Sequence, residues 1–575
     1  MNDQGLHWAD IAVIVMYLVG ITALGVYAAR KVTNLADFVM PRRFGKAMMV
    51  MFSFGTGTHA DQAVSVSSKV YTSGISGIWY QWLWLFVTPF YWPLAMIMSR
   101  FRALTTADVF EARYDRSVSI LYAGFSYCKL MFSIGLMLRG AAEVIHASTG
   151  GLVHAELAII FMTILFVAYG MAGGLGAAIV TDMVQGVLTI VFSFMLLPMI
   201  LYEVGGIDGI RQAIPAVSDK TDMMSLIAPS EITVFYITII AFNGLVGIVA
   251  QPHTMGNCAA GRSELQGQIG FMGGNLLKRL CTIAWALTGL AAVVYLAGTG
   301  QGDMNPDQIF GQVARDFLPT LLPGLLGLFI AALLASMMST CDAFMIAASG
   351  LFTENFYKQF VKHRSHRHYL WVARISSLLV VAGGVFFAFS LEGVVQGLEV
   401  LWKLSSMLGI AFWLGLFWRR GTVAGAWASA FSAFAAWWLT TQAFFVQAVD
   451  ALALGDWFAL VVTKDGQLMI NLPWQMLFYL LIGFGTGVVV SLLTKPVPTE
   501  KLDRFYELTR TPVRPDEQVV EPCTLPVGVQ PPPRRVLFPN SSFEVPIPRR
   551  MTVSGFLVGW LCVVIIIGGF FAILR

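Results

Sequence analysis

The chain has 575 residues, of which 57% are hydrophobic and only 12% charged, and its formal net charge is +4. A soluble globule of this length is about a quarter charged, so the composition excludes an ordinary soluble enzyme and points to a polytopic membrane protein. The net charge is too small to call for a nucleic-acid partner, and the six cysteines show no CxxC or Cys/His spacing that would hold a metal or build a disulfide framework.

About 20 apolar residues are needed to cross a bilayer core. On that criterion fourteen segments qualify, near 8–30, 47–70, 75–98, 118–147, 155–174, 179–203, 231–255, 268–298, 318–352, 369–391, 396–418, 421–447, 473–494 and 553–574. The first follows MNDQGLHWAD, which lacks a basic stretch and a cleavage site, so it is expected to stay in the mature chain. Basic residues fall in alternate loops: Arg30, Lys31, Arg42, Arg43 and Lys46 after the first segment, Arg100, Arg102, Arg113 and Arg116 after the third. Lys358, Lys362, Arg364 and Arg367 follow the ninth, and Arg419 and Arg420 the eleventh. This parity predicts a multi-pass protein of a bacterial-type plasma membrane with both termini outside. Residues 495–550, with TKPVPTEK, VQPPPRR and PIPRR, read as a cytoplasmic proline-rich linker with little secondary structure, ahead of a last transmembrane helix at 551–575. No GxxxxGK[ST] phosphate loop occurs, which argues against an ATP-driven pump.

Two segments interrupt the apolar pattern. The second carries Gly55-Thr56-Gly57-Thr58-His59-Ala60-Asp61-Gln62, and the seventh carries Asn243-Gly244-Leu245-Val246-Gly247 followed by Gln251-Pro252-His253. Polar, glycine-rich breaks five helices apart are expected of an inverted-repeat transporter of the LeuT type. Glycines alone would be explained by close helix packing, but His59 and Asp61 are costly at that depth. In the ninth segment, Ser336, Ser339 and Thr340 stand at i, i+3 and i+4 and share one helical face. A dehydrated sodium ion needs several oxygen ligands, which hydroxyls and freed carbonyls can supply.

Several stretches together resemble the sodium:solute symporter family, which includes the sodium/proline and sodium/sugar symporters. NPDQIF (Asn305–Phe310) precedes LLASMMSTCDAF, similar to the family's cation helix. YGMAGGLGAAIVTDMVQ (Tyr169–Gln185) resembles its signature around Gly173 and Gly174, with Asp182 in place. QPH (Gln251–His253) is similar to the proline branch, and GLFWRRGT (Gly415–Thr422) to the end of the tenth core helix. The resemblance implies an all-α membrane protein with a LeuT-type 5+5 inverted repeat: an extra first helix, repeats at about 47–203 and 231–418, and two further helices closing a symporter domain at 1–494.

Carried onto this chain, the resemblance implies a sodium site of the carbonyls of Gly55, Thr58 and Ser336 and the hydroxyls of Ser339 and Thr340. A second ion site using Asp182 would need serines where Asp342 and Ala343 stand, so Asp182 either forms an ion exit route or bonds to neighbouring hydroxyls. Gln62, Gln81 and Lys278 fall on solute-contacting positions of sugar-transporting relatives, and Phe242 and Asn243 occupy the place of an aromatic gate pair. His59 and Asp61 depart from both branches; they either face the expected solute, or Asp61 is a local partner for His59 or Lys278. Arg139 either binds a substrate carboxylate or pairs with Glu143 one turn away. The implied function is a sodium-coupled secondary active symporter, not an enzyme, importing a small polar organic solute by alternating access. A sugar or polyol is favoured over an amino acid or organic acid, and a symporter-like sensor without transport is the alternative. The expected partners are the solute, sodium and the bilayer, with no organic cofactor and no metal besides sodium, and a monomer is expected.

Overall fold

The computed structural model describes residues 6–29, 42–218, 222–228, 231–452, 459–464, 466–515, 517 and 521–575; the side chains at 26, 28, 29, 169–178 and 464 lie outside that description. Arg30 and Lys31 of the first basic loop therefore fall outside the described residues, as do the side chains of Tyr169–Ala178 in the signature stretch. Among the described residues the only sheet is a hairpin, β1 (Val461–Lys464) antiparallel to β2 (Gln467–Ile470), in register Val461 with Ile470. All else of regular structure is helical.

In chain order the helices are α1 (Trp8–Ala29), α2 (Lys46–Gly57), α3 (Ala60–Ser73), α4 (Ile75–Arg100), α5 (Thr106–Arg113), α6 (Arg116–Ser148) and α7 (Ala155–Met195). Then come α8 (Leu197–Glu203), α9 (Gly206–Val217), α10 (Val234–Ile248), α11 (Thr254–Ala259), α12 (Glu264–Gly298), α13 (Ile309–Leu321) and α14 (Leu325–Gly350). The remainder are α15 (His366–Ser390), α16 (Val394–Phe417), α17 (Val423–Thr440), α18 (Ala443–Ala451), α19 (Leu472–Leu493), α20 (Thr499–Arg510) and α21 (Arg550–Leu574). Several start where capping predicts. Thr105 and Asp108 form a capping box before α5, and Asp115 accepts from Val118 N at the start of α6.

Among the described residues ten helices are long and apolar enough to cross a membrane. The fourteen expected segments differ from these in four places. The second is split into α2 and α3, and the seventh ends at Ile248 before a turn and the short α11. The fifth and sixth join in one helical run, α7, whose 41 residues would span about 60 Å if straight, roughly twice a bilayer core. The expected boundary between them falls within 169–178. The twelfth is helical over Val423–Thr440, but its glycine, serine and tryptophan content keeps it out of the ten.

The buried axis is α14, which packs on α7, α6, α2 and α15. Helix α12 packs along both halves of the broken helix, α2 and α3, and its small residues permit this. A Cβ on Gly274 would lie 2.6 Å from the Val50 carbonyl oxygen. The second broken helix, α10, lies between α4 and α16.

The segment 495–550 departs from the linker expectation. Its TEKLDRFYELTR stretch places Leu502, Phe505 and Tyr506 at i, i+3 and i+4, and as α20 it buries them against the bundle. The Phe505 ring stacks on Phe101 at 5.4 Å, and the Tyr506 hydroxyl donates to the Gly415 carbonyl at 2.8 Å. Arg419 pairs with Asp503 and, at 2.7 Å, with Glu544. Arg102, wholly buried, donates to Glu517 and to the Thr511 and Pro512 carbonyls at 3.3 and 3.1 Å. Prolines around this stretch had masked a docked strap.

Burial alone would raise the Glu517 carboxyl, but the Arg102 guanidinium and the Arg514 N–H hold it below its ordinary value. The pair's contribution is therefore complete above the unfolded value of about 4.3 and is lost as pH falls through the lower folded value. Glu517→Gln should leave Arg102 buried without a counter-ion, a cost of about 3–5 kcal/mol to docking. Limited proteolysis should then cut the 495–550 strap faster in the variant, while the wild type shows one rate from pH 5 to 8.

Candidate ion and solute site

Gly55 and Gly57 weaken the end of α2, and the chain leaves helical geometry at Thr58 (φ −124°, ψ 105°) and His59 (φ −133°, ψ 161°) before resuming at Ala60. Asp61 in the first turn of α3 is favoured by the helix dipole there. Two extended residues free carbonyls that cannot be left bare in lipid. They are met by one face of α14. Thr340 Oγ1 donates to the Gly55 carbonyl at 2.9 Å and Ser339 Oγ at 3.3 Å, while Ser336 Oγ donates to the Thr58 carbonyl at 3.2 Å. The Ser336 carbonyl lies 3.4 Å from Thr340 Oγ1 and 3.5 Å from Ser339 Oγ. Gly55, Thr58, Ser336, Ser339 and Thr340 are thus brought together, although nearly 280 residues separate the two halves. Thr58 Oγ1 is buried here with no hydrogen-bond partner. Three carbonyls and the hydroxyls form an oxygen-rich, uncharged nest of the kind a hard monovalent cation takes.

Asp182 on α7 lies directly behind it. A Cβ on Gly55 would sit 3.5 Å from Asp182 Cγ and 3.5 Å from Ser339 Oγ. Both Asp182 carboxylate oxygens are buried without a hydrogen-bond partner, and Asp342 is an electrostatic neighbour. Among the described residues Asp182 makes no bond to a neighbouring hydroxyl.

On the other side of the break lies a cavity of about 110 Å³ between α2–α3, α4, α6, α10, α12 and α16. A single water needs only about 10–15 Å³, so the space suits a small organic molecule. His59, Asp61, Gln62, Gln81, Asn243 and Lys278 all line it. His59 Nδ1 pairs with Asp61, and its Nε2 is 2.9 Å from the Gln62 amide nitrogen. Lys278 donates to the Gly57 carbonyl. Among the described residues, Asp61 Oδ2, Gln62 Oε1, Gln81 Oε1 and, further along the lining, Asn257 Oδ1 are acceptors left buried and unpartnered.

Two nominated residues stand elsewhere. Phe242 is 48% exposed and does not line the cavity, because its position on α10 points to the outer surface. Arg139 also lies off the cavity and pairs with Glu143 at 2.9 Å; Glu143 in turn accepts from Gln308 at 2.9 Å, so of the two readings the ion pair is the one present. Asn243 reaches the cavity but is tied down, donating to the Trp402 carbonyl at 3.3 Å and accepting from Tyr479. Sequence reasoning missed Lys129, His253, Asn275, Arg279 and Trp402, which also line the cavity. Lys129, inside the apolar run YCKLMFSIGL, carried a signal, since an ionisable residue at mid-membrane is a functional candidate.

Residues 37–432 match the model of the sodium:solute symporter family. The sodium/proline symporter of Haemophilus influenzae is 26% identical over 442 residues, covering 72% of this chain and 84% of the relative. The sodium/pantothenate symporter of the same organism is 23% identical over 478 residues, covering 79% and 96%. Among solved structures, the substrate-bound outward-open state of a Na+-coupled sialic acid symporter superposes with a TM-score of 0.68 at 17% identity, covering 85% of this chain and 99% of the other. The fold is that of the LeuT-type transporters. Matched over most of its length, this chain belongs to the sodium:solute symporter family, a family of transporters rather than enzymes.

Proposed function

We propose that this protein is a sodium-coupled symporter that carries a small polar organic solute inward by alternating access, the ion bound at Gly55, Thr58, Ser336, Ser339 and Thr340. The observation that carries the reading is the convergence of the Gly55 and Thr58 carbonyls on the Ser336–Thr340 face of α14. Sodium there would tie α2 to α14 and hold the break in one shape. Thr56 and Gly57, between the two carbonyls of the ion site, line the solute cavity, so ion binding shapes the wall the solute meets. One sodium ion crossing about 100 mV supplies roughly 2.3 kcal/mol, and a tenfold gradient adds about 1.4. That is enough for solute accumulation of several hundredfold.

Fourteen spans, counting each broken helix as one and α7 as two, with both termini outside a plasma membrane, remain our reading of the topology. It is supported by Arg100, Arg102, Arg113 and Arg419, which meet the 495–550 strap at one end of the bundle. The protein works as a monomer in this reading. Asp182 serves as a way out for the ion. Its carboxylate is unpartnered and lies behind Gly55. The relatives are named for proline and pantothenate, so their names do not converge on one solute. The free acceptors at Asp61, Gln62 and Gln81 support hydroxyl donors on the solute, as in a sugar, a polyol or a hydroxylated organic acid.

In proteoliposomes, an inward sodium gradient should drive accumulation of one member of a panel of sugars, amino acids and carboxylates, and choline should not replace sodium. Ser339→Ala with Thr340→Ala should abolish this uptake or raise the half-saturating sodium at least tenfold; unchanged uptake contradicts the ion site. Binding without accumulation would make the protein a sensor. Asp182→Asn should lower the maximal rate more than it changes half-saturating sodium, and equal rates would remove Asp182 from the ion route.

A further inference from the structure

We infer that the solute carries a carboxylate, and that Lys129 with His253 recognises it; this rests on the cavity being the solute site. Lys129 projects from the middle of α6 into the cavity and is only 7% exposed. Among the described residues no acidic side chain or carbonyl pairs with its ammonium group. The other buried cations are all held. Arg100 pairs with Glu264 at 2.8 Å, Arg102 with Glu517, and Arg113 donates to the Gly415 carbonyl at 2.7 Å. Arg279 donates to the Gln81 carbonyl at 2.6 Å, Lys278 to that of Gly57, and Lys403 has a partner of its own.

Beside Lys129 is His253, whose ring stacks on Phe344 at 4.8 Å and whose Nδ1 is buried without a partner. Lys129, His59 and Lys278 are its electrostatic neighbours. Among the described residues the only acidic side chain lining the cavity, Asp61, is already paired with His59. An ammonium group taken out of water costs several kcal/mol unless an anion meets it. Among the described residues nothing does so here, so the compensating charge comes with the ligand.

A neutral sugar would leave Lys129 unpaired, whereas a carboxylate accepts from both its ammonium and a His253 N–H. The free acceptors at Gln62, Gln81 and Asp61 lie elsewhere in the same cavity and suit donors on the rest of the molecule. The class that satisfies both sets is a hydroxylated organic carboxylate.

The test uses the purified full chain in detergent, with thermal unfolding followed in sodium chloride or choline chloride. The probes are gluconate, glucuronate and lactate, with sorbitol and glucose as neutral counterparts, and 22Na+ binding is measured in parallel. At least one carboxylate should raise the melting temperature in sodium but not in choline, and the neutral probes should not. Lys129→Gln should abolish that shift, or weaken the carboxylate at least tenfold, with 22Na+ binding kept. It should also raise the melting temperature of the unliganded protein, because it removes an unpaired buried charge; a lysine with a structural role would lower it. Lys129→Met gives the same readout should the glutamine variant fail to fold. The inference is overturned if neutral probes stabilise as well as carboxylates, if no carboxylate acts on a protein that binds 22Na+, or if Lys129→Gln keeps full carboxylate affinity. Loss of 22Na+ binding in the wild type overturns the ion site instead.

Discussion

Two residues of extended backbone inside a membrane helix are the constraint from which the rest follows. Thr58 and His59 interrupt α2–α3 at a depth where every bare carbonyl costs several kcal/mol, so the surroundings must supply partners. The Ser336, Ser339 and Thr340 hydroxyls do so on one side and the Lys278 ammonium does so at Gly57 on the other. Close packing of α12 on α2, made possible by Gly274, fixes the helix that leads into the break.

The two sides of the break differ in chemistry. Toward α14 it meets neutral oxygens, suited to a small cation that must be released again in each cycle. Toward the cavity it meets charge: Lys278, the His59–Asp61 pair and, across the space, Lys129. Carbonyls at Gly55, Gly57 and Thr58 turn to different sides, so a shift of one turn of backbone moves both walls together. In the proposed symport, sodium and solute would be connected through these four residues, with no need for a long relay.

The two elements that meet at Gly55–Thr58 and Ser336–Thr340 were legible in the sequence because their signals are local. Hydroxyls at i, i+3 and i+4 declare a helical face, and glycines beside a histidine and an aspartate declare a break. The lining of the cavity was less so. Which side of α10 faces inward depends on tertiary packing, and Phe242 and Asn243, adjacent in sequence, point to opposite surroundings. Arg139 and Glu143 satisfy one another one turn apart, so their charges carry no information about a ligand. Lys129 was visible as a lone charge in an apolar run, but only the structure shows that none of the described residues answers it. The α20 strap was hidden because prolines on either side outweighed a twelve-residue amphipathic pattern.

Hydrogen exchange followed by mass spectrometry on the full chain, with sodium compared against choline, tests the central claim most directly. If sodium joins the break to α14, peptides covering 52–62 and 334–342 gain protection together in sodium, and Ser339→Ala with Thr340→Ala removes the effect at both. Protection that is the same in sodium and choline at these two segments, or that survives the double substitution, would contradict the account.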